Sequence, residues 1–523
     1  MKKHLFLLTA GCLLFSANCM AQPGELDSDF SGDGRIIENF DTGLDKGTSI
    51  AVQPDGKIIV GGQSYIQGDY DFVLIRYNTD GSLDNSFSDD GKASVNFGVA
   101  YDDYAMAMAL EDDGKITLAG YSDLNTVNTS VCLARLLPDG TLDQSFGING
   151  KVFTDAGTDT DAGVGIAVNA EGKYAVCGQA QFNDYFIILY NNDGSLDATF
   201  GNNGILYVQG LSGNVYTIED IAFQQNGKIV IGGTNGQNGY YNFFAARYNI
   251  DGTLDNTFSV NGMVDTDFNT TSDWASTIEI SADGKILLAG FNFASGSEND
   301  IAVVRYNSDG TLDQSFNGSG KRSIDLGYDE NINAMVLQPD GKILLGGENY
   351  NSTNSEKYFL LLRLNSDGSL DNSFGTNGVT YTTFINSTYH SLNDMALQPD
   401  LKIVVTGIVG TDLSAQKDIG TARYLSGLNL GVAEFSGAAA APLIYPNPIH
   451  EIETLNYTLL NDEMLSIELY NTTGALVKTF VKNEKRVAGE HTETLHFPVE
   501  LSAGNYLLQL NTAAGMQTIK IVR

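Results

Sequence analysis

Short apolar runs of four to seven residues alternate with polar and glycine-rich breaks along almost the whole chain. Runs of that length, bounded by turn residues, predict strands rather than helices. In the first such group the strands fall at Arg35–Phe40, Thr48–Gln53, Lys57–Gly62 and Phe72–Asn78, with Pro54-Asp-Gly-Lys57 as a hairpin turn between the second and third. Phe72-Val-Leu-Ile-Arg-Tyr77 is apolar on both alternating faces, so its sheet needs cover on both sides.

The group repeats. An Asp-Gly-Lys-like turn begins at Asp55, Asp113, Glu171, Asn226, Asp283, Asp340 and Asp400, at spacings of 58, 58, 55, 57, 57 and 60 residues. A second signature, Asn-x-Asp-Gly-(Ser/Thr)-Leu-Asp-x-(Ser/Thr)-Phe, is whole at Asn78–Phe87 and Asn307–Phe316. Related copies stand at Asp139–Phe146, Asp193–Phe200, Asp251–Phe258 and Asp367–Phe374, and a truncated one at Leu26–Phe30. Seven units of four strands within residues 22–425 predict an all-β, seven-bladed β-propeller. Stacked blades cover each other's faces, and radial closure leaves only short edges exposed.

Residues 426–442 are rich in small residues and form a linker. Residues 443–523 hold further alternating strands in about 80 residues, which predicts a small β-sandwich. At the other end, residues 1–21 read as a signal peptide: Lys2-Lys3, an apolar run from Leu5 to Phe15, and small residues before Gln22. No segment is long enough to span a membrane, so the processed chain is expected to be exported and soluble, and a monomer.

Net charge is −35, and residues 443–523 carry 6 basic and 9 acidic groups, so nearly all of it lies on the propeller. Such a surface argues against nucleic acid as a partner. Cys132 and Cys177 both sit in apolar strands and predict buried free thiols.

No His-Glu-x-x-His, Gly-x-Ser-x-Gly or phosphate-cradling motif occurs, and His390 is the only histidine in the propeller. Ten residues before each Asp-Gly-Lys turn stand Asp45, Asp103, Asp161, Tyr216, Asp273, Glu330 and His390. Closure would set these in a ring on one face, able to hold Ca²⁺ or a cationic ligand; no other cofactor is indicated. Trp274, the only tryptophan, lies beside this ring. The fourth predicted strand carries Arg76, Arg135, Arg247, Arg305, Arg363 and Arg423, with Leu189 as the exception. Pairing of these arginines with the ring acids is the structural expectation, since a buried guanidinium needs a carboxylate. The acidic turn motif itself reads as Asx-type stabilisation rather than a calcium loop.

The two recurring signatures resemble the delta-60 repeat, a bacterial β-propeller family, over roughly residues 26–425. The C-terminal segment, with Tyr445-Pro-Asn-Pro448, Asn471-x-x-Gly474, Leu501-Ser-Ala-Gly-Asn-Tyr506 and Lys520–Arg523, is similar to the sorting domain of the type IX secretion system of Bacteroidetes. That resemblance implies export through this machinery, to the medium or the cell surface. The expected role is a secreted propeller that binds an extracellular glycan, peptide or surface protein. The alternatives are an adhesion scaffold and a polysaccharide hydrolase or lyase using acidic residues at the channel mouth.

Overall fold

The computed structural model describes residues 22–428 and 443–523, apart from 41–42, 99–100, 126–127, 158–159, 211–213, 238, 269–271, 294–297, 354, 412–416, 446–451, 460, 472–475, 499–500, 502–504 and 513–514. The signal peptide and most of the linker lie outside these residues. Seven antiparallel four-stranded sheets form a ring. Blade 1 comprises Asp45–Val52, Ile58–Ile66, Asp69–Tyr77 and Lys92–Val95, from the axis outward. The inner strands of blades 2 to 7 are Asp102–Leu110, Ala162–Val168, Asn214–Phe223, Ser272–Ile280, Asp329–Leu337 and Tyr389–Leu397. Each inner strand touches the next, and that of blade 7 touches that of blade 1, so the ring closes.

Closure shifts the blades against the sequence units. Arg35–Glu38, read above as the first strand of unit one, is the outer strand of blade 7, pairing Arg35 with Ala422 and Glu38 with Ile419. Correspondingly, the arginine-bearing strand is third from the axis, not fourth. Joining the two ends of the propeller in one sheet removes the free edges that an open array would expose. Predicted strand bounds also fall short on one side: the inner strand of blade 1 starts at Asp45, and the second strand runs on to Ile66. Those extensions, Asp45-Lys-Gly47 and Gln63-Ser-Tyr-Ile66, are mainly polar or aromatic, and they break the apolar pattern from which the strands were read.

Every inner strand carries a β-bulge at the same place, between Gly47 and Ser49 in blade 1 and between Ala275 and Thr277 in blade 5, for example. The bulge pushes one carbonyl over the second strand, where a glycine always sits. A Cβ on Gly62 would stand 2.0 Å from the Lys46 carbonyl oxygen, and one on Gly290 2.0 Å from that of Trp274. The repeated glycine is therefore a packing requirement of the bulge.

On the face opposite to the starts of the inner strands, the blades repeat one ionic cluster, except that Lys115 of blade 2 pairs with Asp113 at 2.7 Å and leaves Asp143 to Arg135. In blade 1, Asp84 Oδ2 accepts from Arg76 Nε at 2.7 Å and meets Lys57 Nζ at 2.9 Å, and the guanidinium lies 4.6 Å from the Phe87 ring centroid. Asp84 Oδ1 accepts from the Ser86 backbone N–H and hydroxyl. Burial alone would raise the Asp84 pKa; Ser86, Lys57 and Arg76 outweigh it and hold the carboxyl well below the usual range. The arginines thus pair with the second aspartate of the turn motif and not with the ring acids, which overturns that expectation. Blade 3, with Leu189, keeps the Lys173–Asp197 pair at 2.6 Å. In blade 7 the cluster spans the two ends of the propeller: Asp27 meets Arg423 at 2.8 Å and Lys402 at 2.9 Å.

Cys132 and Cys177 are buried and free. The C-terminal strands form two sheets. One holds Leu443–Tyr445, Ile452–Leu459 and Gly489–His496; the other holds Leu476–Arg486, Glu463–Asn471, Asn505–Thr512 and Gly515–Val522. Leu455 and Leu495 from the first pack with Ile467, Leu469 and Leu508 from the second, giving a β-sandwich core. No helix among the described residues is long and apolar enough to cross a membrane.

Candidate functional site

The ring residues lie at or near the starts of the inner strands, and their side chains point into the protein. Asp45, Asp103, Asp161, Asp273 and Glu330 are 0% exposed and His390 1%. The carboxylates fasten the crossover from the preceding blade by accepting backbone N–H groups: Phe40 to Asp45 (2.8 Å), Phe97 to Asp103, Ala156 to Asp161 and Phe268 to Asp273 (2.7 Å each). Glu330 does the same for Leu326 and Tyr328. His390 substitutes in blade 7: its Nε2 accepts from the Phe384 N–H at 3.0 Å, and Nδ1–H donates to the Lys357 carbonyl at 2.6 Å. Tyr216 lies instead in the apolar core against Tyr185 and Phe244. Burial pushes Asp103 up to about 6 and Glu330 to about 8, against the hydrogen bonds that favour their charged forms.

Oxygens of Asp300, Asp325 and Glu330 lie within 4.8 Å of one another, the one carboxylate trio among the described residues close enough to share a cation. Both Glu330 oxygens already accept protein hydrogen bonds, one of them also from Asn349 Nδ2 at 2.8 Å. The framework role accounts for that residue.

The next position along each inner strand behaves differently. Lys46, Tyr104, Ala162, Thr217, Trp274 and Asn331 are half-buried, with Ser391 completing the ring in blade 7. At three of these positions the side chain meets one residue from the preceding blade and one from its own second strand. Between blades 1 and 2 this set is Tyr70, Tyr104 and Tyr121, with ring centroids 5.3 and 5.0 Å apart. Between blades 4 and 5 the same three positions hold Tyr241, Trp274 and Phe291, at 4.7 and 6.5 Å. Between blades 5 and 6 they hold Asn299, Asn331 and Glu348, linked by side-chain hydrogen bonds of 3.0 and 3.3 Å. Between blades 7 and 1 they hold Lys417, Lys46 and Gln63.

Deeper along the inner strands stand four carboxylates absent from the other blades: Glu219, Asp220, Glu279 and Asp394. Asp220 Oδ2 accepts from the Ile278 N–H (3.0 Å) and Asp394 Oδ2 from the Ile50 N–H (2.8 Å), each bridging to another blade. Burial first, and mutual repulsion second, raise Glu219 to about 7 and Glu279 to about 8. Burial, against backbone hydrogen bonds, raises Asp220 to about 6 and Asp394 to about 7.

One face therefore repeats the same residues blade after blade, and the other varies them. Of the residues singled out from sequence, Trp274 belongs to the variable ring, one step from the buried acids. Lys46, Tyr70, Tyr121, Tyr241, Phe291 and Lys417 were missed. The available signal was the residue after each ring acid, where the units differ most.

Comparison with known families agrees with this architecture. Residues 53–87, 111–146, 171–200, 224–258, 281–316 and 338–374 match the β-propeller domain of unknown function DUF5122, and residues 443–523 match the secretion system C-terminal sorting domain. The chain thus carries six DUF5122 β-propeller repeats and a C-terminal type IX sorting domain, and that tail indicates secretion or cell-surface attachment. Six matches accompany seven blades because the corresponding stretch of blade 7 is divided between Gln398–Tyr424 and Leu26–Phe30.

Among solved structures, the polysaccharide lyase Uly1 is 10% identical with a TM-score of 0.44, covering 73% of this chain and 90% of its own. A catalytically inactive virginiamycin B lyase from Staphylococcus aureus with quinupristin is 12% identical, TM-score 0.41, over 75% and 99%. A mutant α-L-arabinofuranosidase from Fusarium graminearum with an iminosugar inhibitor is 9% identical, TM-score 0.39, over 75% and 97%. No curated protein matches.

Proposed function

We propose that this is a secreted or surface-displayed binding propeller whose ligand face is the variable end of the inner strands, and that the ligand is an extracellular glycan. One observation carries the reading: within a framework that repeats in all seven blades, the half-buried side chains at this one end differ from junction to junction. Residues common to all blades build blades; those that differ are free to fit a ligand. Tyrosine, tryptophan, asparagine and lysine are the side chains that recognise sugars, by apolar ring contact and by hydrogen bonds to hydroxyls. The sorting tail supplies the destination, outside the cell, where such ligands are met.

The test is a glycan and peptide array on the full chain, followed by calorimetry with the best ligand. Tyr104→Ala and Trp274→Ala should each weaken binding while leaving the far-UV spectrum unchanged. Unchanged affinity in both variants, or a best ligand that is a peptide, would sink the reading.

A further inference from the structure

Residues 22–425 contain 13 lysines. Seven belong to the Asp-Gly-Lys turns: Lys57, Lys115, Lys173, Lys228, Lys285, Lys342 and Lys402. Lys92, Lys151 and Lys321, on outer strands, donate to the backbone carbonyls of Asn39, Asn96 and Asp267. The three left over, Lys46, Lys357 and Lys417, stand at two adjacent junctions of the variable face. Lys357 pairs with Glu348 at 2.8 Å. Lys417 lies 3.6 Å from the centroid of the Tyr389 ring, with Lys357 4.8 Å from the same centroid.

Lys46 and Lys417 occupy the positions that Tyr104 and Tyr70 hold one junction on, and a backbone bridge from Lys417 to Leu44 brings them together. Neither has a carboxylate partner within salt-bridge distance among the described residues. Two described acids beside them are committed elsewhere: Asp45 to Ser64 and the Phe40 N–H, Asp418 to Asn39 at 2.6 Å. Two ammonium groups with no carboxylate partner among the described residues, one of them desolvated, are costly to the folded state alone.

The third member of this junction adds an independent mark. Gln63 pairs with Lys46 across the strands, is 7% exposed, and its Oε1 has no hydrogen-bond partner. A buried side-chain oxygen left unpaired calls for a donor. Beyond it, the Tyr65 ring is 40% exposed and packs edge-on against Tyr70, at the start of the tyrosine ladder.

We propose that the junction between blades 7 and 1 is a subsite for an acidic sugar: Lys46 and Lys417 take its carboxylate, Gln63 Oε1 accepts from a hydroxyl, and the sugar lies toward Tyr65. This rests on the variable face being the ligand face and names its ligand class, a uronate-containing glycan. A simple anion would satisfy the lysines but leave Gln63 orphaned. The protein's large negative charge does not oppose this, since at physiological salt charges beyond about 8 Å are screened and the contact is decided locally.

The probe is an oligogalacturonide, titrated calorimetrically into the full chain at about 0.15 M salt. Its methyl ester keeps the sugar and removes the charge; dextran sulfate against dextran gives a sulfate arm. The free acid should bind at least about tenfold more tightly than the ester, and Lys46→Gln and Lys417→Gln should each cost about tenfold. Lys151→Gln, at a framework position, should bind as the parent does. Lys46→Gln should also melt no lower than the parent, because it removes a desolvated charge that has no carboxylate partner among the described residues.

Equal binding of acid and ester, with loss in Tyr104→Ala, would overturn the acidic-sugar subsite and leave the ligand face standing. Preference for dextran sulfate over the oligogalacturonide would overturn the uronate. Binding to no glycan at all would remove both.

Discussion

The two ends of the propeller are joined by a buried ion cluster, and Asp27→Asn tests how much of the fold's stability depends on it. The Asp27 side chain is 6% exposed and that of Arg423 3%. Its Oδ2 serves both Arg423 and Lys402, while Oδ1 accepts from the Asp29 N–H at 3.1 Å. Removing one partner of a buried pair costs about 3–5 kcal/mol, because the other charge remains buried. Arg423 keeps bonds to the Thr79 carbonyl and to Gln398 Oε1, so the lower end, about 3 kcal/mol, is expected.

The internal control is Asp313→Asn, which removes the same contacts to Arg305 and Lys285, both within a continuous run of chain. Both variants should lose similar stability in guanidinium titrations. Only Asp27→Asn should also loosen the N-terminal strand, seen as faster amide exchange at Ile36 and Ile37 and earlier protease cleavage near residue 30. A loss below about 1 kcal/mol, the worth of an exposed pair, would refute the burial argument. Identical exchange in the two variants would refute the latch.

Three further outcomes are expected. Glu219, Asp220, Glu279 and Asp394 all have folded pKa values raised above their unfolded ones, so the folded state holds extra protons and their contribution is lost as pH rises through about 6 to 8. The melting temperature should therefore fall between pH 5 and pH 8.5, and Glu279→Gln should raise it at pH 8.5 while leaving it unchanged near pH 4; a flat profile in the parent would contradict this. His390 is held neutral by burial, with its pKa lowered, so acidification below about 6.5 should destabilise blade 7, and His390→Ala should melt lower at every pH. Gly290→Ala should fail to fold or lose several kcal/mol, because the added carbon would sit 2.0 Å from a backbone oxygen; a melting curve within about 1 kcal/mol of the parent would show that the bulge can relax.

Asp55-Gly-Lys57 and Leu83-Asp84-x-x-Phe87 announced both the repeat and its turns, because hairpins and Asx turns are local and their chemistry is written within a few residues. The seven units then implied closure, since four-stranded sheets apolar on both faces have no other cover. Phase was not legible. That Arg35–Glu38 completes blade 7, and that Asp27 pairs with Arg423, depends on contacts across nearly 400 residues that no local pattern encodes.

The candidate site divides in the same way. The sequence pointed to the right end of the inner strands through Asp45, Asp103, Asp161, Asp273 and Glu330, but a period of two leaves undecided which of two neighbours faces solvent. Tertiary packing turned those acids inward to hold the crossovers, and left Lys46, Tyr104 and Trp274, one residue later, at the surface of the junctions. Composition and repetition determined that a ring is built. Only the bulged, closed ring decided which side chains it presents, because a single residue's shift along a strand exchanges the buried face for the exposed one.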